Sequence, residues 1–115
     1  MTDPAASSNW TDLGSATELA GAGHLDGEVD GYAATVLRIA GRLYAFEDRC
    51  THDGESLAGA EVEPGANAPV VVCPRHGARF CLQHGAALTP PAYEPIRIFA
   101  VRERAGRIEV RPAGA

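Results

Sequence analysis

Two short segments that combine cysteine and histidine constrain this chain more than any other feature. Residues 50–54 are "CTHDG" and residues 73–77 are "CPRHG", so that Cys50 is paired with His52 and Cys73 with His76. With four histidines among 115 residues, chance would produce both spacings only about once in a hundred such chains. We therefore expect the four side chains to bind metal together.

The donor set narrows the kind of metal site. Thiolates are soft ligands and neutral imidazoles are borderline, so two of each suit zinc, iron or an iron–sulfur cluster. In a tight turn, a cysteine and a nearby histidine can each reach a different metal ion of a two-iron cluster. Two such turns facing each other would hold one iron by thiolates and the other by imidazoles, which is an electron-transfer arrangement. A tetrahedral zinc module remains the alternative at this point.

Length, charge and hydropathy exclude several classes of protein. A chain of 115 residues supports one domain, and its net charge of -5 disfavours nucleic acid as a partner. No apolar run approaches the roughly 18 residues of a membrane span, and the N-terminus lacks a signal-peptide pattern. We therefore expect a cytoplasmic protein that does not bind membranes. Three cysteines are too few for a disulfide framework, which again favours metal binding.

The local pattern predicts an all-β fold. Runs rich in Val, Ile, Tyr and Phe are separated by the turn dipeptides Asp30-Gly31, Ala40-Gly41 and Ala105-Gly106. Residues Ser15 to Leu19 match a capping box and predict a short helical turn that ends before Gly21. We predict a small antiparallel sandwich or barrel of about eight to ten strands, with cluster-binding loops inserted between strands and no internal repeat.

The middle of the chain is predicted to consist of short strands and loops. One strand is expected near Ala60 to Glu63, and the "EPGANAP" segment at 63–69 is expected to be a surface hairpin tip. The apolar run Val70 to Cys73 is typical of a buried strand that ends at Cys73.

The two motifs and their surroundings resemble the Rieske family, which carries CxH followed by CxxH. The segment "LYAFEDRCTHDGESL" is similar to the first cluster loop of Rieske-type ferredoxins, and "VVVCPRHGARFCLQHGAALTPPAYEPIRIFAVR" is similar to their second loop, proline loop and next strand. The resemblance extends from about Trp10 to Val110. It implies a Rieske iron–sulfur domain over residues 1–115, with the cluster-binding part at about 48–92.

The resemblance also implies a ligand set and a function. Cys50 and Cys73 would bind one iron of a Rieske-type [2Fe-2S] cluster, and His52 and His76 the other. The expected function is that of a ferredoxin carrying single electrons from a flavin- or NAD(P)H-dependent reductase to a non-haem iron, ring-hydroxylating oxygenase. Alternatives within the fold are the small subunit of a nitrite-reductase-like system and a ferredoxin of iron–sulfur metabolism.

The chain departs from the Rieske proteins of cytochrome complexes, which carry an additional, disulfide-forming cysteine in each loop. Here the corresponding positions hold Asp53 to Glu55 and Arg75. Fewer hydrogen bonds to sulfur in an acidic protein predict a potential near the low end of the Rieske range, at roughly -150 mV. Arg75 would either raise the potential and attract an acidic partner or simply be solvated.

Several other residues have both a functional and a structural interpretation. Cys81 could be a reactive thiol in a redox sensor, although a buried free cysteine usually behaves as a small hydrophobic residue. His84 is expected on a surface turn, Leu57 in an apolar shell beneath the cluster, and Pro90 and Pro91 in a loop that covers it. The sequence contains no recognisable catalytic triad, phosphate-binding loop or mononuclear iron motif, so no catalytic residue is predicted.

Overall fold

A computed structural model describes the chain over residues 10–51, 56–57, 60–65, 67–74, 77–89 and 94–113. The described residues form nine strands and one short helix. In chain order these elements are β1 (Thr11–Ser15), α1 (Ala16–Ala22), β2 (Leu25–Val29), β3 (Tyr32–Ile39), β4 (Arg42–Glu47), β5 (Glu61–Glu63), β6 (Val70–Val72), β7 (Arg79–Cys81), β8 (Ile98–Arg104) and β9 (Arg107–Pro112).

The strands form two antiparallel sheets. The larger sheet has six strands in the order β1-β9-β8-β4-β3-β2, and the smaller has three in the order β5-β6-β7. The two edge strands of the larger sheet approach each other, since a Cβ added to Gly27 in β2 would lie 2.5 Å from Leu13 Cδ2 in β1. The larger sheet is therefore nearly closed, and the prediction of a small all-β domain of eight to ten strands is confirmed.

Three tight turns connect the long hairpins of the larger sheet, as the sequence predicted. Asp30, Ala40 and Ala105 have φ values of 51° to 53°, and each is followed by a glycine with positive φ. Two successive residues with positive φ match the right-handed twist of the flanking strands. The turns therefore join β2 to β3, β3 to β4 and β8 to β9 without splaying the strands.

The helix is longer than predicted. Ser15 Oγ accepts a hydrogen bond from the Glu18 amide and Glu18 Oε1 accepts one from the Ser15 amide, as the capping box requires. The helix does not stop before Gly21, however. It continues to Ala22 and ends at Gly23, whose φ of 88° allows its amide to bond back to a carbonyl of the last turn.

The described residues bury two apolar clusters on opposite faces of β3 and β4. Adjacent residues in a strand point to opposite sides, so Phe46 joins one cluster and Ala45 the other. One cluster lies inside the larger sheet against α1. The other packs against the smaller sheet and contains Cys50 and Cys73; we call it the cysteine-side core. The smaller sheet thereby carries the second predicted ligand loop onto the larger sheet, which carries the first.

Candidate metal centre

The first predicted ligand loop begins just after β4. Cys50 is completely buried, three residues beyond the end of that strand. Asp48 holds both ends of this loop: its amide donates to the Ala33 carbonyl at 2.9 Å, and its Oδ1 accepts from Ser56 Oγ at 2.8 Å and from the Leu57 amide at 2.5 Å. The Asp48 carboxylate thus closes the loop that leaves Cys50 and returns at Ser56.

The second loop is a short turn directly after β6. Cys73 is 1% exposed, and its amide donates to the Ala78 carbonyl at 2.8 Å. The Gly77 amide donates to the Cys73 carbonyl at 3.0 Å, and Gly77 has a φ of 74° that favours glycine. These two bonds tie Cys73 to Gly77 and Ala78. As predicted, a buried strand delivers Cys73 to the site.

Both thiols lie in one apolar environment. Cys50 and Cys73 belong to the cysteine-side core, together with Leu57, Ala78 and Phe80, each of them no more than 1% exposed. Leu57 therefore lies where an apolar shell was predicted. All three cysteines are described and none forms a disulfide. Two buried thiols surrounded by apolar side chains are the donors that an iron–sulfur cluster requires, so the described residues fit the sulfur half of the predicted site.

The imidazole half of the site lies outside the described residues. His52 and His76 are in this group, as are Asp53 to Glu55, Arg75, Pro90 and Pro91. In the part of the chain that the structure describes, no three His, Cys, Asp or Glu side chains are grouped closely enough to hold a metal ion. The two histidine ligands and the covering proline loop therefore remain predictions.

Thr51 connects the first loop to another segment, a contact that the sequence analysis did not foresee. Its hydroxyl donates to the Glu94 carbonyl at 2.7 Å. Thr51 lies between the predicted ligands Cys50 and His52, and Glu94 follows the predicted proline loop. A hydroxyl between two ligands was the available signal in the sequence, but its partner is 43 residues away.

An ion pair supports the second loop, and it too was missed. Arg79 binds the Glu63 carboxylate through two nitrogens, at 2.9 and 3.1 Å, and its third lies 3.5 Å from the Gly77 carbonyl. Because the hydrogen bond from Arg79 stabilises the ionised carboxylate, the pKa of Glu63 is lowered. The pair joins β5 to β7 across β6, next to the turn that begins at Cys73.

Cys81 and His84 lie outside the predicted ligand set. Cys81 is 7% exposed and belongs to the apolar interior, as predicted for a structural cysteine. The redox-sensor hypothesis required an exposed thiol, which this burial contradicts. His84 is exposed in the turn after β7, as predicted.

The described residues thus form a small, nearly closed antiparallel β domain with two buried thiols in one core, an arrangement that fits the sulfur half of an iron–sulfur site. The Rieske [2Fe-2S] domain model matches residues 9–100, and the chain belongs to that family. Membership of the Rieske [2Fe-2S] domain family implies one Rieske-type [2Fe-2S] cluster. The family resemblance and the predicted cofactor are thereby confirmed.

Curated relatives include ferredoxin subunits of dioxygenases. The chain is 37% identical over 73 residues to the 3-phenylpropionate/cinnamic acid dioxygenase ferredoxin subunit of Escherichia coli K12, a match that covers 64% of this chain and 66% of the relative. The same subunit from Photorhabdus laumondii is 37% identical over 70 residues, covering 61% of this chain and 64% of the relative. The chain thus spans just under two thirds of the length of these relatives.

Solved structures share the fold over nearly the whole chain. The ferredoxin of carbazole 1,9a-dioxygenase from Nocardioides aromaticivorans IC177 covers 90% of this chain and 98% of its own, with a TM-score of 0.79 and 24% identity. A ferredoxin in complex with the oxygenase of carbazole 1,9a-dioxygenase covers 90% and 93%, with a TM-score of 0.76 and 26% identity.

A third structural neighbour belongs to a different system. It is a putative NADH-dependent nitrite reductase small subunit from Mycobacterium tuberculosis, with a TM-score of 0.79 and 20% identity, covering 92% of this chain and 96% of its own. At that identity the likeness concerns the fold alone. The described residues include no helix long and apolar enough to cross a membrane.

Proposed function

We propose that this protein is a one-electron carrier, a Rieske-type ferredoxin that serves a ring-hydroxylating, non-haem iron oxygenase. The observation that carries the proposal is the burial of Cys50 and Cys73 in one core, at the bases of the two loops of a Rieske domain. Curated relatives that are dioxygenase ferredoxin subunits support it. So does the similar ferredoxin that was solved in complex with its oxygenase.

The proposed ligand roles divide the four side chains by chemistry. Cys50 and Cys73 would bind one iron through their thiolates, and His52 and His76 would bind the other through ring nitrogens. When bound, a Rieske cluster supplies reversible one-electron transfer. We assign residues 1–115 to a single domain whose cluster-binding part covers about 48–92.

The described residues would hold the two thiol ligands in place and keep water away from them. Asp48 closes the first loop, and the turn ending at Gly77 closes the second. Leu57 and Phe80 line the core beside the two thiols and exclude solvent from that side. Electron transfer needs no acid, base or nucleophile, so rigidity and exclusion of water are what this chain must contribute. The proposed potential is roughly -150 mV, the low end of the Rieske range.

The proposed partners are a flavin- or NAD(P)H-dependent reductase, which would supply the electron, and the terminal oxygenase, which would receive it. Redox partners of this kind meet through small, transient interfaces. Because reductases of this kind use cytoplasmic NAD(P)H, we propose a cytoplasmic location.

Electron paramagnetic resonance of anaerobically purified protein, reduced with dithionite, tests the proposal. We expect a rhombic signal with a low average g value, because imidazole ligation of one iron produces this signature. The oxidised protein should absorb visible light and contain two irons per chain. A colourless protein that gives no signal and contains one zinc per chain would overturn the proposal and indicate a structural Cys₂His₂ module.

A further inference from the structure

The second ligand loop has a close copy eight residues later. Residues 73–78 are "CPRHGA" and residues 81–86 are "CLQHGA", the two segments lying on either side of the β7 residues 79–80. The sequence analysis, which found no internal repeat, overlooked this hexapeptide. The repeat matters because the first copy supplies two of the predicted cluster ligands, whereas the second has no role in the proposed function.

The described residues of the two copies make the same backbone hydrogen bonds. In the second, the Cys81 amide donates to the Ala86 carbonyl at 2.9 Å and the Gly85 amide donates to the Cys81 carbonyl at 2.7 Å. These bonds repeat those of the first copy, at 2.8 and 3.0 Å. Gly85 has a φ of 83°, close to the 74° of Gly77. The backbone therefore forms a second cysteine–histidine turn of the same construction.

The second turn places its two side chains at the wall of a cavity. Cys81 Sγ lies 3.5 Å from His84 Nε2. Both residues line a cavity of about 310 Å³; Cys81 as a whole is 7% exposed, and His84 is exposed. Cys81 is therefore the more deeply buried of the two residues and His84 the more exposed, and the same cavity borders both.

The separation between sulfur and nitrogen suits a single metal ion. Zinc binds sulfur at about 2.3 Å and imidazole nitrogen at about 2.0 to 2.1 Å with tetrahedral angles, which places the two donor atoms about 3.5 Å apart. Cys81 Sγ and His84 Nε2 already have this separation, 3.5 Å. An ion could therefore bind both atoms with little movement of the turn. Asn67 and Gln83 line the same cavity, and water can complete the coordination.

Metal binding would replace two existing contacts, the hydrogen bond between Cys81 Sγ and His84 Nε2 at 3.5 Å and a second one at the other ring nitrogen. The Ala86 amide donates to His84 Nδ1 at 3.4 Å, near the upper limit for a hydrogen bond. Coordination through Nε2 places the ring proton on Nδ1 and ends that contact. The lost bond is long, so its loss costs little, and the Cys81 thiol releases its proton when it binds the metal.

We propose that Cys81 and His84 form a second metal site, which takes one thiophilic divalent cation of the zinc class. The site is separate from the iron–sulfur cluster, because neither residue belongs to the CxH or CxxH pair. The proposal does not depend on the electron-carrier function. In this site, a turn with the same backbone hydrogen bonds as the second cluster loop would bind a single ion through the side chains of Cys81 and His84.

Zinc titration of the cluster-loaded protein tests the site, followed by calorimetry and native mass spectrometry. We expect one zinc per chain, with the visible absorption of the cluster unchanged. Cys81→Ser and His84→Gln should each weaken binding by about tenfold or more, since even residues that only orient a ligand contribute about that much. His24→Gln is the matched control because His24 is also a partly exposed histidine, its ring 2.9 Å from Asp26. It should leave zinc binding unchanged.

Three results would overturn the proposal. They are the absence of zinc binding by the unmodified protein, equal binding by His84→Gln and the unmodified protein, and zinc uptake in step with loss of the cluster absorbance. His84 is exposed, so the His84→Gln variant should fold normally and tests the site without a change in the buried core. If the protein did not contain the proposed iron–sulfur cluster, the rhombic paramagnetic resonance signal would be absent, which is a result distinct from these three.

Discussion

At the scale of single residues, position in the fold separates three cysteines that are chemically identical and all buried. Cys50 and Cys73 lie together in the cysteine-side core at the bases of the two ligand loops. Cys81 is also buried but follows β7, at the start of the next turn. The CxH and CxxH spacing in the sequence already distinguished Cys50 and Cys73 from Cys81. The fold agrees, because Cys81 lies outside the cysteine-side core.

A pair of cysteine substitutions tests this distinction. Cys50→Ser should abolish the visible absorption and the paramagnetic signal, because one iron loses a thiolate ligand. Cys81→Ser is the matched control and should retain a full cluster. Iron content and absorption of the two purified variants provide the measurement. A native spectrum for Cys50→Ser would show that the ligand assignment is wrong.

Asp48 offers a test of a residue that positions a loop without binding metal. Asp48→Ala removes the acceptor for the Ser56 hydroxyl and the Leu57 amide, so we expect a loss of about 1 to 3 kcal/mol in unfolding free energy. We also expect faster loss of the cluster. Chemical denaturation and the decay of visible absorption with time provide the measurements.

The control for this prediction is Asp48→Asn, which retains an oxygen that can accept both hydrogen bonds. Its unfolding free energy and cluster lifetime should lie closer to those of the unmodified protein. If Asp48→Ala lost its cluster no faster than Asp48→Asn, the proposed closing of the first loop would be wrong.

At the scale of elements, the smaller sheet is the part that depends most on side-chain contacts. Its three strands have three residues each, which is short for a sheet that must carry a ligand loop. The ion pair between Glu63 and Arg79 joins its two outer strands. The longer strands of the larger sheet have extensive hairpin pairing and depend less on such contacts.

The ion pair predicts a particular pH dependence. Because Arg79 lowers the pKa of Glu63 in the folded protein, the contribution to stability is complete above the ordinary glutamate value of about 4.3. It is lost as the pH falls below that value and through the lowered pKa. Unfolding measured between about pH 3 and 6 should show this loss in the unmodified protein. The loss should be smaller in Glu63→Gln, and an identical pH profile for the two proteins would contradict the prediction.

At the scale of the whole molecule, two apolar clusters share strands β3 and β4 but pack against different parts of the fold. The cysteine-side core holds both thiols and packs against the smaller sheet, whereas the other cluster lies inside the larger sheet with α1. An iron–sulfur cluster that bridges the two ligand loops would therefore stabilise the side of the molecule that contains the cysteine-side core more than the other side. The reason is that metal binding is coupled to the folding of the ligand loops.

Removal of the cluster by anaerobic chelation should show this asymmetry in amide hydrogen exchange. We expect faster exchange in β5, β6 and β7, and little change in β2, β3 and β9, because only the smaller sheet loses its link to the first loop. The unchanged strands are the internal control. If hydrogen exchange became faster by the same factor throughout the chain, the two apolar clusters would unfold as one unit.

The sequence by itself determined the local features of this protein. The ligand spacing, the three glycine-containing turns, the capping box at Ser15 and the buried strand before Cys73 all follow from neighbouring residues. Such patterns are readable because their physical cause lies within a few positions: a left-handed turn needs glycine, and a helix start needs a side-chain acceptor. The end of the helix was misjudged because a glycine inside a helix costs little enough to be tolerated.

Only the tertiary structure decided which distant residues meet. The pairing of Thr51 with Glu94 and of Arg79 with Glu63 depends on how loops and sheets pack, and no local pattern encodes it. The burial of Cys50 beside Cys73 likewise requires the smaller sheet to pack on the larger one. Side-chain contacts across many residues arise from strand register and sheet packing, which the whole chain determines together.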